Sequence, residues 1–261
     1  MKKESMGLVG TGGVTRSFLA RMPAVLAALG PVKGPSFRVA RRIANTWRAG
    51  YAVSDYASLE GCALIWIAVP EPALERAIRD LAAQTPMDGT VVVLCDSGRD
   101  SRWPKALWSK GARVASLEAV PESRDRTFVG EGDPRAVSEL RRVAAQNDRK
   151  LIEIKPVTKA LYHSGVNFAT HLLLPWMAGS VESLRAAGFS RAEATAIAHS
   201  LGVRTLAAYA KAGRKARSPR AARDMGRALE EQLPVIRATD PRLATLYAEG
   251  AELAFAFFKS G

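Results

Sequence analysis

The sequence predicts an α/β fold in which a doubly wound, mainly parallel sheet is followed by an all-α C-terminal domain. Up to about residue 156, short apolar runs alternate with amphipathic segments, as in proteins built from strand–helix–strand units. Two of these runs, at 63–69 and 91–95, are apolar at every position, which is typical of strands covered on both faces. After residue 156 the chain has no convincing strand and is rich in Ala, Leu, Glu and Arg. We therefore predict two domains, at 1–156 and 157–261.

Each element of the first domain is predicted from a local pattern. Strands are predicted at 7–9, 37–40, 51–53, 63–69, 91–95, 114–116, 127–129 and 151–154. A helix is predicted over 71–84 because its apolar residues share one face, and a further apolar-periodic segment covers 18–29. Asp133 and Pro134 form an N-cap and first-turn pair for a helix that runs to about residue 145.

The second domain is predicted to contain helices at 157–186, 190–212, 219–237 and 241–258. Ser190, Ser218 and Asp240 are the expected N-caps. Pro175 falls inside the first of these helices and should kink it. Apolar residues on the surface of this domain suggest that it pairs with a second copy of the chain. Packing of the same residues onto the first domain is the alternative.

Composition limits the class of protein. Hydrophobic residues make up 48% of 261, which predicts a packed core rather than disorder. No apolar run reaches the roughly 18 residues that span a bilayer, and the N-terminus leaves no room for a signal peptide. The two cysteines lie in apolar, strand-like surroundings, so we expect a reduced, cytoplasmic protein.

The net charge of +13 favours an anionic partner such as a phosphate, a metabolite or a nucleic acid. The excess is spread over both domains rather than concentrated in one arm. The run at 211–220 is basic, but no aromatic residue interleaves with it, so an exposed loop is preferred to a nucleic-acid site. The sequence therefore favours a small anionic ligand.

A glycine-rich turn at the start of the chain is the clearest functional signal. Gly10-Thr11-Gly12-Gly13-Val14-Thr15 follows an apolar run and precedes the apolar-periodic segment. A G-x-G-x-x-G pattern in this strand–turn–helix context places the pyrophosphate of a dinucleotide on a helix N-terminus. The third glycine is Thr15 here, and its β-branched side chain is expected to hold the helix slightly further from the strand.

The charges that follow the turn favour NADP over NAD. Residues 6–53 contain no Asp or Glu, so the carboxylate that usually binds the ribose 2′-hydroxyl of NAD is missing. Arg41 and Arg42 are predicted near the end of the second strand, where a guanidinium could bind a 2′-phosphate. Solvated arginines at the start of a helix are the alternative.

Several motifs together resemble one family. Gly10-x-Gly12-x-Val14, the segments 67–73 (Ile-Ala-Val-Pro-Glu-Pro-Ala) and 96–98 (Asp-Ser-Gly), and 159–167 (Lys-Ala-Leu-Tyr-His-Ser-Gly-Val-Asn) occur in this order. The chain resembles two-domain Rossmann-like proteins whose helical C-terminal half is a domain of unknown function. These belong to the 6-phosphogluconate-dehydrogenase-like superfamily, with pyrroline-carboxylate reductase, ketopantoate reductase and deazaflavin-dependent NADP oxidoreductase as relatives.

This resemblance implies roles for particular residues. Gly10, Thr11, Gly12, Gly13 and Val14 would line the pyrophosphate. Val69 and Pro70 would lie along the cofactor, and Ser97 and Gly98 would lie close to the nicotinamide. Lys159, His163 and Asn167 would face the cleft between the domains. The chain departs from the family pattern at Glu118, where members usually carry His.

Lys159, His163 and Asn167 are spaced i, i+4 and i+8, so they follow one helix face. Lysine and imidazole suit proton transfer to a carbonyl oxygen, and the amide could orient the substrate. A polar stripe satisfied by backbone groups is the alternative. With three histidines and two separated cysteines, no metal site is expected.

These observations predict an NADP-dependent oxidoreductase that transfers a hydride to or from a small carbonyl, imine or hydroxy-acid substrate. Either Lys159 or His163 would be the proton donor, and the helical domain would form a homodimer. The alternative is a non-catalytic dinucleotide-binding protein, acting as a sensor or an interaction module.

Overall fold

A computed structural model describes residues 6–120, 126–216 and 219–258. The chain divides into two compact units, Met1–His163 and Ser164–Gly261. The sequence-based boundary after residue 156 stays a prediction. Within the described residues, no helix is long and apolar enough to cross a membrane.

The first unit is built on one sheet, and its strands are mainly parallel as predicted. The described strands are β1 Met6–Gly10, β2 Leu29–Lys33, β3 Tyr51–Val53, β4 Leu64–Ala68, β5 Val91–Cys95, β6 Arg113–Ala119, β7 Thr127–Gly132 and β8 Lys150–Glu153. Their order is β3-β2-β1-β4-β5-β6-β7-β8, and the β6–β7 pair is antiparallel while the other pairs are parallel. The order reverses between β1 and β4, and α/β sheets bind ligands at such a switch point.

Helices cover the sheet of the first unit and make up the second. The described helices are α1 Gly12–Arg21, α2 Pro23–Ala28, α3 Phe37–Trp47, α4 Glu71–Gln84, α5 Lys105–Trp108, α6 Pro134–Gln146, α7 Lys159–Ala169, α8 Leu174–Ala186, α9 Arg191–Ala212, α10 Pro219–Thr239 and α11 Pro241–Phe258. The doubly wound sheet followed by an all-α region confirms the predicted fold class. Apolar clusters on both faces of the sheet form the core.

Helix ends confirm several predicted caps. The Asp133 carboxylate accepts hydrogen bonds from the amides of Arg135 and Ala136 at the start of α6. Ser190 forms a capping box with Glu193 at the start of α9. The Asp240 carboxylate accepts a hydrogen bond from the Arg242 amide at the start of α11. Ser218 lies outside the described residues.

The predicted strand at 37–40 is wrong. These residues open helix α3, and the Ser36 hydroxyl caps it by accepting a hydrogen bond from the Val39 amide. The second strand is instead β2. This strand was not predicted because it contains Gly30 and Pro31, two residues that weaken a strand pattern. Pro31 is tolerated there because the register between β1 and β2 shifts at this point: β2 has two residues, Gly30 and Pro31, where β1 has one, and proline is accommodated at such a bulge.

The single helix predicted over 157–186 is also wrong. A 3₁₀ turn at Pro156–Thr158 precedes α7, and a turn at 170–173 separates α7 from α8. Pro175 therefore lies in the first turn of α8, where its missing N–H costs nothing, and it does not kink a longer helix. In the same way Pro23 begins α2, so the segment at 18–29 is divided between α1, α2 and β2.

Candidate functional site

The glycine turn joins β1 to α1 at the switch point of the sheet. Gly12 begins α1 with a φ of 63°, in the left-handed region that favours glycine. A Cβ atom on Gly12 or Gly13 would meet no other atom within 4 Å, so the backbone at the start of α1 faces open space. The first N–H groups of a helix lack internal acceptors, and an exposed helix start of this kind can bind a phosphate.

Thr15 replaces the third glycine of the motif with a specific contact. Its side chain is fully buried, and its hydroxyl donates a 2.7 Å hydrogen bond to the carbonyl of Ala68 at the end of β4. A Cβ atom on Gly10 would lie 2.6 Å from the Thr15 oxygen. Thr15 therefore fills the space above Gly10 and ties α1 to the sheet.

A pocket lies where β1, β2 and β4 end. It has a volume of about 260 Å³, and its lining includes Thr11, Lys33, Gly34, Tyr56 and Val69. Lys33 is the last residue of β2, and its ammonium donates a hydrogen bond to the Gly34 carbonyl and lies 4.9 Å from the centre of the Tyr56 ring. Burial lowers the pKa of Lys33, although the Asp55 and Asp80 carboxylates partly oppose this.

The observed end of β2 corrects the predicted position of Arg41 and Arg42. Both residues lie on the second turn of α3 rather than at a strand end. Arg42 lines a second pocket, of about 320 Å³, together with Gly12 and Arg16. Arg41 lines shallower pockets with Phe37 and Asn45. The cation at the end of the second strand is Lys33, while the cofactor roles of Arg41 and Arg42 stay predictions.

The ends of β4 and β5 lie next to each other in the sheet and continue the same edge. Val69 is buried, and Pro70 is exposed and precedes the first residue of α4, Glu71. The Ser97 hydroxyl donates a 3.1 Å hydrogen bond to the Glu71 carboxylate, so the loop after β5 is joined to the start of α4. Gly98 is exposed, and a Cβ atom there would meet nothing within 4 Å.

Lys159 lies at the centre of a polar cluster beside that loop. Its ammonium donates hydrogen bonds to the Arg99 carbonyl at 2.7 Å and to the Ser116 hydroxyl at 2.8 Å. It also lies 3.0 Å from a carboxylate oxygen of Glu118 and 3.8 Å from one of Glu131. The Lys159 side chain is 4% exposed, so these partners surround its ammonium away from solvent.

His163 lies one helical turn after Lys159 and faces the same cluster. Its Nε2 atom is 3.1 Å from the Glu118 oxygen that also pairs with Lys159. The His163 side chain is 31% exposed, in contrast to Lys159. Because Nε2 faces the carboxylate, the other ring nitrogen is the one left to meet a ligand.

Two further acids surround this cluster. Burial raises the pKa of Asp96, although the Ala119 amide, Arg21 and Lys159 partly oppose the shift. The pKa of the Tyr162 hydroxyl is also raised, by burial and by the charges of Glu118 and Asp96. Asp96 directly follows β5 and adopts a φ of 49°. The edge of the sheet after β5 and β6 thus concentrates groups that can hold or transfer a proton.

The structure brings some of the predicted site residues together and leaves others apart. Lys159 and His163 share the cluster, and the loop containing Ser97 and Gly98 borders it. Asn167 is exposed and belongs to the second unit, so its role stays a prediction. Among the described residues, no group of three or more His, Cys, Asp or Glu side chains is placed to hold a metal ion.

Sequence reasoning missed Lys33 and Glu131. Lys33 was missed because β2 was not recognised. The signal that could have identified it is the absence of Asp and Glu from residues 6–53, which leaves Lys33 as the charged residue at the end of β2. Glu131 lies inside the strand β7, opposite Ser116 in the antiparallel register. A glutamate within an otherwise apolar strand, 1% exposed, could have been predicted to need a buried partner.

Residues 127–253 match the model of the family described as Domain of unknown function (DUF2520). The matched region begins at β7 and ends within α11. This match and the fold confirm the resemblance to two-domain Rossmann-like proteins whose helical half is a domain of unknown function. No curated protein sequence matches the chain.

Solved structures share the fold over nearly the whole chain. Protein TM1727 from Thermotoga maritima is 20% identical with a TM-score of 0.72, and the match covers 98% of each chain. A reductive aminase from Aspergillus terreus, in complex with NADPH and ethyl-5-oxohexanoate, is 10% identical with a TM-score of 0.67, covering 99% of this chain and 94% of that one. An imine reductase from Bacillus cereus is 17% identical with a TM-score of 0.61, covering 98% and 94%. The chain therefore shares its fold with these three proteins.

Proposed function

We propose that this chain is an NADP-dependent oxidoreductase that transfers a hydride to or from a small carbonyl, imine or hydroxy-acid substrate. One observation carries the proposal. The partly exposed His163, paired with Glu118, lies in the same compact unit as the glycine turn, beside the loop that follows β5. A proton donor near the reacting end of a dinucleotide is what carbonyl or imine reduction requires.

The residues at the carboxyl edge of the sheet fit NADP. The open helix start at Gly12 and Gly13 would receive the pyrophosphate, with Gly10, Thr11 and Val14 around it. The pocket between Lys33, Tyr56 and Val69 would receive the adenosine half, and the Lys33 ammonium would bind the 2′-phosphate. Arg42, beside Gly12, is a second candidate for a phosphate contact.

The proposed proton donor is His163 rather than Lys159. When bound, the nicotinamide supplies or accepts the hydride, while His163 gives a proton to the substrate oxygen or nitrogen and regains it from solvent. The burial of Lys159 and its four polar partners leave it poorly placed to exchange protons. Glu118 would orient the His163 ring from its Nε2 side.

The proposal also includes the charge of the substrate and the assembly of the chain. The net charge of +13 supports an anionic substrate, and the solvent-exposed apolar residues of the second unit support a homodimer. A cytoplasmic location is part of the same proposal. The burial of Lys159 also favours the alternative, a dinucleotide-binding protein without turnover.

The test is NADPH oxidation by the full chain with a panel of 2-keto acids, aldehydes and cyclic imines, repeated with His163→Gln. We expect turnover with at least one class and a loss of kcat of about 10²-fold or more in the variant, as for removal of a general acid. The affinity for NADPH should change less than twofold. His171→Gln, at an exposed histidine of the second unit, is the matched control. NADPH binding without turnover of any class would favour the sensor alternative instead.

A further inference from the structure

The loop that follows β5, residues 96–101, is fixed from the side of α4. The Glu71 carboxylate accepts hydrogen bonds from the Ser97 hydroxyl and from the Arg99 guanidinium, each at 3.1 Å. The Ser97 hydroxyl also accepts a 3.0 Å hydrogen bond from the Arg99 amide. These contacts fix the first half of the loop, but Glu71 and Arg99 are about half exposed.

A buried pair of charges fixes the second half of the same loop. The Glu131 carboxylate accepts hydrogen bonds from the Ser101 amide at 2.9 Å and from the Ser101 hydroxyl at 2.6 Å. The Lys159 ammonium donates to the Arg99 carbonyl. Backbone groups of the loop are thus bound by side chains from β7 and α7, which are distant from it in the sequence.

The buried pair consists of Glu131 and Lys159, and Ser116 connects the two side chains. Ser116 donates a 2.5 Å hydrogen bond to Glu131 and accepts one from Lys159, so its hydroxyl bridges the two charged side chains. Lys159 and Glu131 are 3% and 1% exposed. Burying two charges costs desolvation free energy that their attraction often fails to recover, so such a pair is better explained by placement than by stability.

We infer that Lys159 and Glu131 are positioning residues that hold the loop at 97–101 in the conformation that receives the nicotinamide half of the cofactor. The inference rests on the proposed function and assigns Lys159 a role other than proton transfer. A loop fixed before binding loses little conformational entropy when the ligand arrives, which increases affinity for the part of the ligand that it touches.

The hold on the loop is tested without cofactor by amide hydrogen exchange of the full chain. In Lys159→Met, peptides covering 97–103 should exchange about tenfold faster or more, because the Arg99 carbonyl loses its donor and Glu131, which binds Ser101, loses a neighbouring cation. Peptides from β1 and α9 should exchange as in the wild type. Lys105→Met removes an exposed lysine just beyond the loop and is the matched control.

The effect on the cofactor is tested by comparing NADPH with 2′,5′-ADP, a probe that contains only the adenosine half. We expect Lys159→Met to weaken NADPH binding by about tenfold or more. The affinity for 2′,5′-ADP should change less than twofold, whereas a general loss of structure would weaken both probes. The double variant Lys159→Met with Glu131→Gln also removes the buried charge of Glu131, leaves Glu118 beside His163, and should show the same selective loss.

The outcomes separate this inference from the proposed function. Unchanged exchange at 97–103, or equal losses for NADPH and 2′,5′-ADP in the double variant, would overturn the positioning role. A third outcome is that the loop exchanges faster in the variants while the wild-type chain binds neither NADPH nor 2′,5′-ADP. This result would support the role of Lys159 and Glu131 in fixing the loop and would contradict the proposed function.

Discussion

Lys33 is the residue on which the proposed preference for NADP depends. It ends β2, lines the pocket beside Thr11 and Val69, and uses one of its N–H donors on the Gly34 carbonyl. Lys33→Met keeps the apolar stem and removes the charge. Since a hydrogen bond to a charged group contributes about 1.5–3 kcal/mol, NADPH affinity should fall about tenfold or more. NADH affinity should change little, because NADH has no 2′-phosphate.

The pKa of Lys33 adds a pH dependence to this prediction. Its folded-state pKa is lowered, so it loses its proton at a lower pH than an ordinary lysine. The preference for NADPH over NADH should therefore decline as the pH rises, and fluorescence titration across neutral and alkaline pH measures it. Lys110→Met, an exposed lysine after α5, is the control. A preference that survives in Lys33→Met would transfer the role to Arg42 or another cation.

Asp96 makes a prediction about stability. Its pKa is raised in the folded state, so the folded chain is penalised when this carboxyl is ionised. The penalty is present above the folded-state pKa and disappears as the pH falls below the unfolded value of about 3.9. Asn suits the positive φ at this position and keeps an acceptor for the Ala119 amide.

Asp96→Asn should therefore be at least as stable as the wild type at neutral pH. Any advantage of the variant should shrink as the pH is lowered toward about 4. Urea denaturation at both values measures the difference. A clear loss of stability at neutral pH would show that the Arg21–Asp96 ion pair outweighs the cost of burial.

At the scale of single residues, the sequence predicted the cluster only in part. Lys159 and His163 were identified by the resemblance to the family and by their spacing on one helix face, and the structure brings both to Glu118. The difference in their burial could not be predicted, because it depends on β6 and β7, which contribute Ser116 and Glu131. Pairing between distant strands is not visible in one sequence.

At the scale of elements, α1 is tied to β4 by the Thr15 hydroxyl. Thr15→Val removes this donor and leaves the Ala68 carbonyl with only a long 3.4 Å contact from the Thr11 amide. Such a loss costs about 1–3 kcal/mol of unfolding free energy. Thermal unfolding should show the lower stability, and Thr46→Val, at an exposed position of α3, should change it little. An unchanged melting temperature in Thr15→Val would mean that packing alone positions α1.

The strands and helices were predicted best where the pattern was long or uniform. The apolar runs of β4 and β5 and the amphipathic α4 lie within one residue of their predicted bounds. β2 was missed, and its predicted place was given to α3, because Gly30 and Pro31 break the strand pattern while Val39 and Ala40 imitate it. The sheet tolerates these two residues because they lie where the register between β1 and β2 shifts.

At the scale of the whole molecule, the second unit exposes apolar residues along α9. Leu201, Val203, Leu206 and Tyr209 are each 45–54% exposed, which suggests that a second copy covers them. Sedimentation equilibrium should give twice the mass of one chain for the wild type and a single-chain mass for Leu206→Glu. Leu206→Ala keeps an apolar surface and should leave the dimer in place. A wild-type chain that stays monomeric at all concentrations would contradict the homodimer.

The central claim is that the carboxyl edge of the sheet binds NADP, and calorimetric titration of the full chain with NADPH and NADH tests it most directly. The missing acids at 6–53, the open glycine turn and the Lys33 pocket predict that NADPH binds about tenfold more tightly or better. Equal affinities, a preference for NADH, or no binding of either nucleotide would contradict the claim.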